Sequence, residues 1–171
     1  MAALTDDFIK VVPHAPEFSR AEGAGSIAIG SESAAFASDG RAIAIGDKAV
    51  ANGDHSIAIG WMATSVTSTH TGTPALDAVT IGFHAGAYAP SAVALGSGSQ
   101  ASTPFTVSVG GDASIYGPFR RRIVYVADGT DVSDAATVGQ LRRTKAELEE
   151  QLSALREDYS KLAALLQETA R

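Results

Sequence analysis

The sequence predicts a mainly β protein with a C-terminal α-helix, in which a parallel β-roll of 14-residue repeats leads through a short connection to a coiled coil. Three observations carry this reading. A short apolar phrase closed by glycine comes round six times between Ser26 and Gly110. Inside each phrase large and small residues alternate strictly. From Val138 onward the apolar spacing changes from two to alternating three and four, which exchanges the strand period for the helix period.

The phrases are SIAIG (26–30), AIAIG (42–46), SIAIG (56–60), AVTIG (78–82), AVALG (92–96) and TVSVG (106–110). Their closing glycines lie 16, 14, 22, 14 and 14 residues apart. The underlying period is therefore 14, with a two-residue insertion in one turn and an eight-residue insertion in another. One and three residues before each glycine stand Ile27 and Ile29, Ile43 and Ile45, Ile57 and Ile59, Val79 and Ile81, Val93 and Leu95, and Val107 and Val109. Ala, Ser or Thr fill the places between, so each phrase is a strand with a large-residue face and a small-residue face.

A second strand of small residues follows, three and five places after the glycine: Ser33 and Ala35, Ala49 and Ala51, Ala63 and Ser65, Ala85 and Ala87, Ser99 and Ala101. Turn residues then close the coil at Asp39-Gly40, Asn52-Gly53-Asp54, Pro90 and Pro104. Six such coils stacked at about 4.8 Å make a section of about 30 Å. The alternation leaves open whether the large-residue face fills the roll or faces a neighbour. Twelve large aliphatic side chains over 85 residues are a thin core, so association with further copies of the chain is expected.

Composition narrows the function classes. Of 171 residues 45% are hydrophobic, 19% charged and only 6% aromatic, with 17 glycines; this is too apolar for a disordered chain and too rich in Gly and Ala for an ordinary enzyme core. A net charge of -6 argues against a nucleic-acid partner, despite the basic run Arg120 to Arg122. Cysteine is absent, which removes disulfides and thiolate chemistry. No run of 18 apolar residues suggests insertion in a membrane. His55 and His84 share no ligand spacing, so neither a metal nor another cofactor is expected.

Residues 1–25 precede the first phrase and do not fit it. Phe8 to Val12 can form one short strand, stopped by Pro13 and Pro16. This segment reads either as a simple lead-in or as an attachment peptide that docks by main-chain pairing, with Phe8, Ile9, Val11, Val12 and Phe18 as its apolar contacts. The longest departure from the period, Trp61 to Asp77, holds the single tryptophan and a Thr-rich stretch. Structurally it is a surface loop with Trp61 tucked beneath it; functionally it is a receptor-contacting loop using Trp61, Thr67, Thr69, His70 and Thr71.

The S-x-A-I-G type of 14-residue repeat resembles the heads of the trimeric autotransporter adhesins, the YadA-like family, whose heads are left-handed parallel β-rolls in threefold assembly. The stretch RRIVYVADGTDVSDAATVGQL, Arg121 to Leu141, resembles the neck of the same family. It matches at Arg121, Ile123, Val126, Gly129, Asp134, Ala135, Val138, Gln140 and Leu141, and departs at Ala136 and Thr137, where the family has Val and Asn. The resemblance implies a homotrimer with a head over 26–118, a neck over 119–137 and a parallel trimeric coiled-coil stalk over 138–171.

The residues of the neck allow a strand at Ile123 to Val126, a turn at Asp128-Gly129 and a helix N-cap at Ser133 or Asp134. In the stalk, Val138, Lys145, Leu152, Tyr159 and Leu166 occupy a positions, and Leu141, Leu148, Leu155, Leu162 and Thr169 occupy d positions. Apart from Lys145 and Thr169 these form the expected stalk core. Arg143 and Glu147 are placed for an i,i+4 ion pair.

The function expected from this reading is structural and non-catalytic, a homotrimeric adhesin-like fibre. A chain that begins at Met1 without a secretion signal points to a bacteriophage virion, as a tail or capsid fibre docked on a virion body protein through the N-terminal segment and contacting a host-surface glycan or protein receptor. The alternative is a head, neck and stalk fragment of a bacterial surface trimeric adhesin. A polysaccharide-cleaving tailspike is the enzymatic rival, but Asp39, Asp47 and Asp54 sit near corners, where Asp is an ordinary turn residue.

Overall fold

The computed structural model describes residues 19–38, 40–66, 75–112 and 117–169. The chain divides into two compact units, Met1–Arg121 and Arg122–Arg171.

In the first unit the strands come in chain order as β1 (Arg20–Glu22), β2 (Ile27–Ile29), β3 (Ala34–Phe36), β4 (Ile43–Ile45), β5 (Val50–Asn52), β6 (Ile57–Ile59), β7 (Thr64–Ser65), β8 (Val79–Ile81), β9 (Gly86–Ala87), β10 (Val93–Leu95), β11 (Gln100–Ala101) and β12 (Val107–Ser108). They alternate between two parallel sheets. One runs β2-β4-β6-β8-β10-β12 and the other β1-β3-β5-β7-β9-β11. The phrases stack in register, Ile27 on Ile43, Ile43 on Ile57, Ile57 on Val79, Val79 on Val93 and Val93 on Val107. The result is a parallel β-solenoid of about six turns. Both insertions fall in sequence between a second strand and the next phrase, and the ladders on either side keep their register.

Packing resolves the question that the alternation left open. The buried apolar residues described are all alanines, among them Ala35, Ala44, Ala51, Ala58, Ala87 and Ala94. They are joined by Ser33, Ser56, Ser65, Ser99 and Thr80, and among the described residues no fully buried side chain is larger than Thr80. Corners of only a few residues hold the two sheets too close for anything bulkier. The Ile, Val and Leu face therefore points away from the interior: Leu95 is 46% exposed and Val107 67% exposed.

The glycine corner needs glycine twice over. Gly30, Gly46, Gly60 and Gly82 have φ between 127° and 133°, a region costly for any residue with a Cβ. Each also lies against the coil below, where a Cβ on Gly30 would stand 2.5 Å from the Gly46 carbonyl oxygen. Two residues later the chain turns left-handed again, at Glu32, Lys48, Met62 and His84. The second corner repeats the device at His55, Asp77, Ser91 and Phe105.

The lead-in requires a correction. Residues 1–25 were expected to stand outside the repeat, yet Arg20–Glu22 pairs in parallel with Ala34–Phe36 and supplies half of a preceding coil. The large-residue alternation is missing there because this strand is equivalent to the second strands of the later coils. Phe8, Ile9, Val11, Val12 and Phe18 lie outside the described residues.

In the second unit helix α1 spans Val138–Thr169, with no buried residue. At 1.5 Å per residue its 32 residues extend about 48 Å. The strand expected at Ile123 to Val126 does not form, because these residues find no ladder partner among the described residues. Nor is Ser133 or Asp134 the N-cap. The Thr137 hydroxyl accepts the Gln140 N–H at 3.1 Å, and the Gln140 side-chain oxygen accepts the Thr137 N–H at 3.0 Å. This reciprocal capping box starts the helix. Arg143 pairs with Asp128 rather than with Glu147, while Lys145 and Glu149 form an i,i+4 pair at 3.6 Å.

Candidate functional site

Four features of the described residues bear on function: the aromatic part of the glycine corner, the corner that takes the insertions, the base of the roll, and the joint that precedes the helix. Residues immediately after the closing glycines stack in a column. The His84 N–H donates to the Trp61 carbonyl oxygen at 3.0 Å, the Met62 N–H to Asp47 at 2.9 Å, the Lys48 N–H to Ser31 at 2.8 Å and the Gly98 N–H to Phe83 at 2.8 Å. Ser31, Asp47, Trp61, Phe83 and Ser97 are thus equivalent positions on successive coils.

Trp61 and Phe83, one coil apart, have ring centroids 4.9 Å apart at an interplanar angle of 37°. The His84 ring meets both edge-on, 5.9 Å from Trp61 and 4.9 Å from Phe83. Trp61 remains 47% exposed. The inserted loop beneath which Trp61 was expected to be tucked lies outside the described residues. Trp61 sits at the glycine corner, and the whole of β7 separates it from the point where the insertion leaves the roll. Thr67, Thr69, His70 and Thr71 lie outside the described residues.

On the insertion corner a cleft of about 560 Å³ is lined by Glu22, Phe36, Asn52, Asp54 and Leu76 among others. Below it His55 Nδ1 and Asp77 Oδ1 pair at 3.2 Å on the exposed edge. Among the described residues no group of three His, Cys, Asp or Glu side chains could hold a metal ion.

At the base of the roll Arg121 is an anchor. Its guanidinium donates to the Ser97 carbonyl at 2.6 Å, to the Val109 carbonyl at 2.8 Å and to Ser99 Oγ at 2.8 Å, and it lies 4.6 Å from the Phe119 ring centroid. Five donors in a rigid fork let one side chain tie two coils together. Of the residues expected to form a neck, Arg121 therefore closes the first unit, whereas Ile123 and Val126 are exposed.

The joint ahead of α1 is held by its own side chains. Gln140 donates to the Gly129 carbonyl at 2.8 Å and accepts the Gly129 N–H at 2.9 Å. The Thr137 hydroxyl donates to Asp128 at 2.6 Å. That bond and the Arg143 guanidinium hold the Asp128 carboxyl below the usual carboxylate range. Asp134 is lowered likewise by the N–H groups of Thr130 and Asp131, at 3.0 and 3.1 Å. Sequence reasoning missed Thr137 as a cap, although the T-x-x-Q spacing signals it. It also missed Phe83 as the partner of Trp61, which only the equivalence of residues 22 apart reveals.

Among curated proteins no sequence matches the chain. Of solved structures, the collagen-binding domain of the Yersinia adhesin YadA is 26% identical, covering 75% of this chain and 71% of that one with a TM-score of 0.48. The family model of the YadA head domain repeat matches residues 18–33, 37–61 and 87–113. Over those residues the roll is similar to the YadA head domain repeat.

Proposed function

We propose that this chain is the head, neck and stalk portion of a homotrimeric, non-enzymatic adhesin of a bacterial surface, with the head over 26–118, the neck over 119–137 and the stalk over 138–171. The observation that carries the reading is the outward apolar face of the roll. Six coils each present two Ile, Val or Leu side chains that the alanine interior cannot take in. A continuous apolar surface of this kind marks an interface. Helix α1 has the same need, since Val138, Leu141, Leu148, Leu152, Leu155, Tyr159, Leu162 and Leu166 are all exposed and a lone helix in water is marginal.

The YadA head repeat supports three copies and a cell-surface placement in preference to the virion fibre expected from the N-terminal sequence. Sedimentation equilibrium at micromolar concentration tests the assembly: a mass of three chains is expected, and a folded single chain overturns it. Binding of the purified protein to host cells tests the adhesive role, and no binding to any host surface overturns that part.

A further inference from the structure

We propose that the glycine corner of the third and fourth coils is a glycan-binding platform, in which the exposed surface of Trp61, held from behind by Phe83, stacks on the apolar face of a pyranose ring. The proposal deepens the adhesin reading and rests on it for its biological sense. Its physical basis is the column of equivalent positions. At the same backbone site other coils carry Ser31, Asp47 and Ser97, hydrogen-bonded from coil to coil in the same way. The fold therefore asks for no aromatic side chain at this place.

Two large rings stand there nonetheless, in a chain with only 6% aromatic residues, and the single tryptophan keeps 47% of its surface exposed. Exposing such a ring forgoes the stabilisation of burying it. The rings are also preorganised. They are spaced by the backbone ladder itself, with centroids 4.9 Å apart, and His84 braces both edge-on. Rigid aromatics of this kind make contact at small entropic cost.

The column supplies polar partners on either side, the Asp47 carboxylate one coil above and the Ser97 hydroxyl one coil below, where sugar hydroxyls would lie. An extended peptide is served less well. Peptides pair with open sheet edges or fill grooves, and at this corner the N–H groups of Met62, His84 and Gly98 are already spent on the carbonyls of the preceding coil.

Because Trp61 is the only tryptophan, intrinsic fluorescence of the full chain reports on this site alone. A printed array of neutral and N-acetylated oligosaccharides identifies the probe, which is then titrated against Trp61 emission. A saturable change in emission is expected. Trp61→Ser and Phe83→Ser, which install the residue that other coils carry, should weaken array binding at least about tenfold with oligomer mass and β signal unchanged.

The proposal is overturned if no oligosaccharide alters the emission, if array binding survives both substitutions, or if a proline-rich peptide produces the response and sugars do not. Failure of acrylamide to quench Trp61 in the native oligomer also overturns it, since a second copy would then cover the corner. These tests on the wild-type chain hold even if a variant misfolds. Host-cell binding that is equal in wild type and variants leaves the adhesin reading standing and removes the platform; a wild type that binds sugars but no host cell does the reverse.

Discussion

A Cβ placed on Gly46 would stand 2.5 Å from the carbonyl oxygen of Gly60 in the coil below. Backbone meets backbone there, so neither side can yield by rotating a side chain. Gly46 also has φ of 130°. Gly46→Ala is therefore expected to destabilise the roll by about 3 kcal/mol or more, through strain and clash together. A thermal melt within a few degrees of wild type would contradict the coil spacing described.

Ser65, the last residue of β7, is buried, and its hydroxyl oxygen has no hydrogen-bond partner. In the same column the neighbouring coils carry Ala35, Ala51, Ala87 and Ala101. Ser65→Ala should remove an unsatisfied polar group and raise stability by about 1 kcal/mol. Denaturant midpoints of the two proteins decide it, and a lower midpoint for the variant would mean that the hydroxyl has a partner in solution.

Adjacent residues on β10 should respond in opposite ways. Ala94 is fully buried inside the roll, whereas Leu95 is half-exposed on the outward face. Ala94→Leu overfills an interior that takes nothing larger than threonine, and should cost about 3 kcal/mol or prevent folding. Leu95→Asp should leave the roll folded and weaken the assembly of copies. Circular dichroism paired with sedimentation separates the outcomes; equal loss of β signal in both variants would refute the assignment of faces.

The joint ahead of α1 should loosen in acid. Asp128 and Asp134 both have carboxyls depressed by partners in the folded state. A depressed folded value means that the unfolded chain binds protons first, so stability rises with pH across the window between the two values. Their contribution is complete above the ordinary carboxylate value of about 4 and is lost as pH falls through the lowered folded values. Amide shifts of Thr130, Asp131 and Gln140, followed from neutral pH into acid, should stay constant until that window. Asp134→Asn should move the amides of Thr130 and Asp131 at neutral pH.

The candidate site was legible only in part. Trp61 stood out as the single tryptophan beside an insertion, and proximity in sequence grouped it with residues 67–71. Trp61 lies at the glycine corner, on the other side of β7 from Val66, while residues 67–71 lie outside the described residues. Phe83 and His84, which touch the Trp61 ring, were hidden because an eight-residue insertion sets the coils 22 residues apart at that point. Thr137 was legible through its spacing to Gln140 but was passed over for Asp134, whose carboxylate serves the preceding turn instead.

By itself the sequence determined the architecture: the 14-residue return of glycine, the alternation around it and the change of period at Val138 together require stacked coils followed by a helix. This information is local, because a strand's two faces and a left-handed glycine are properties of a few consecutive residues. Only the tertiary structure decided which face is inside. Both faces alternate equally well along the chain, and the choice depends on how closely two sheets approach when tight corners join them. That separation admits alanine and serine and turns isoleucine outward, and this is why the surface of the roll, rather than its interior, carries the apolar face.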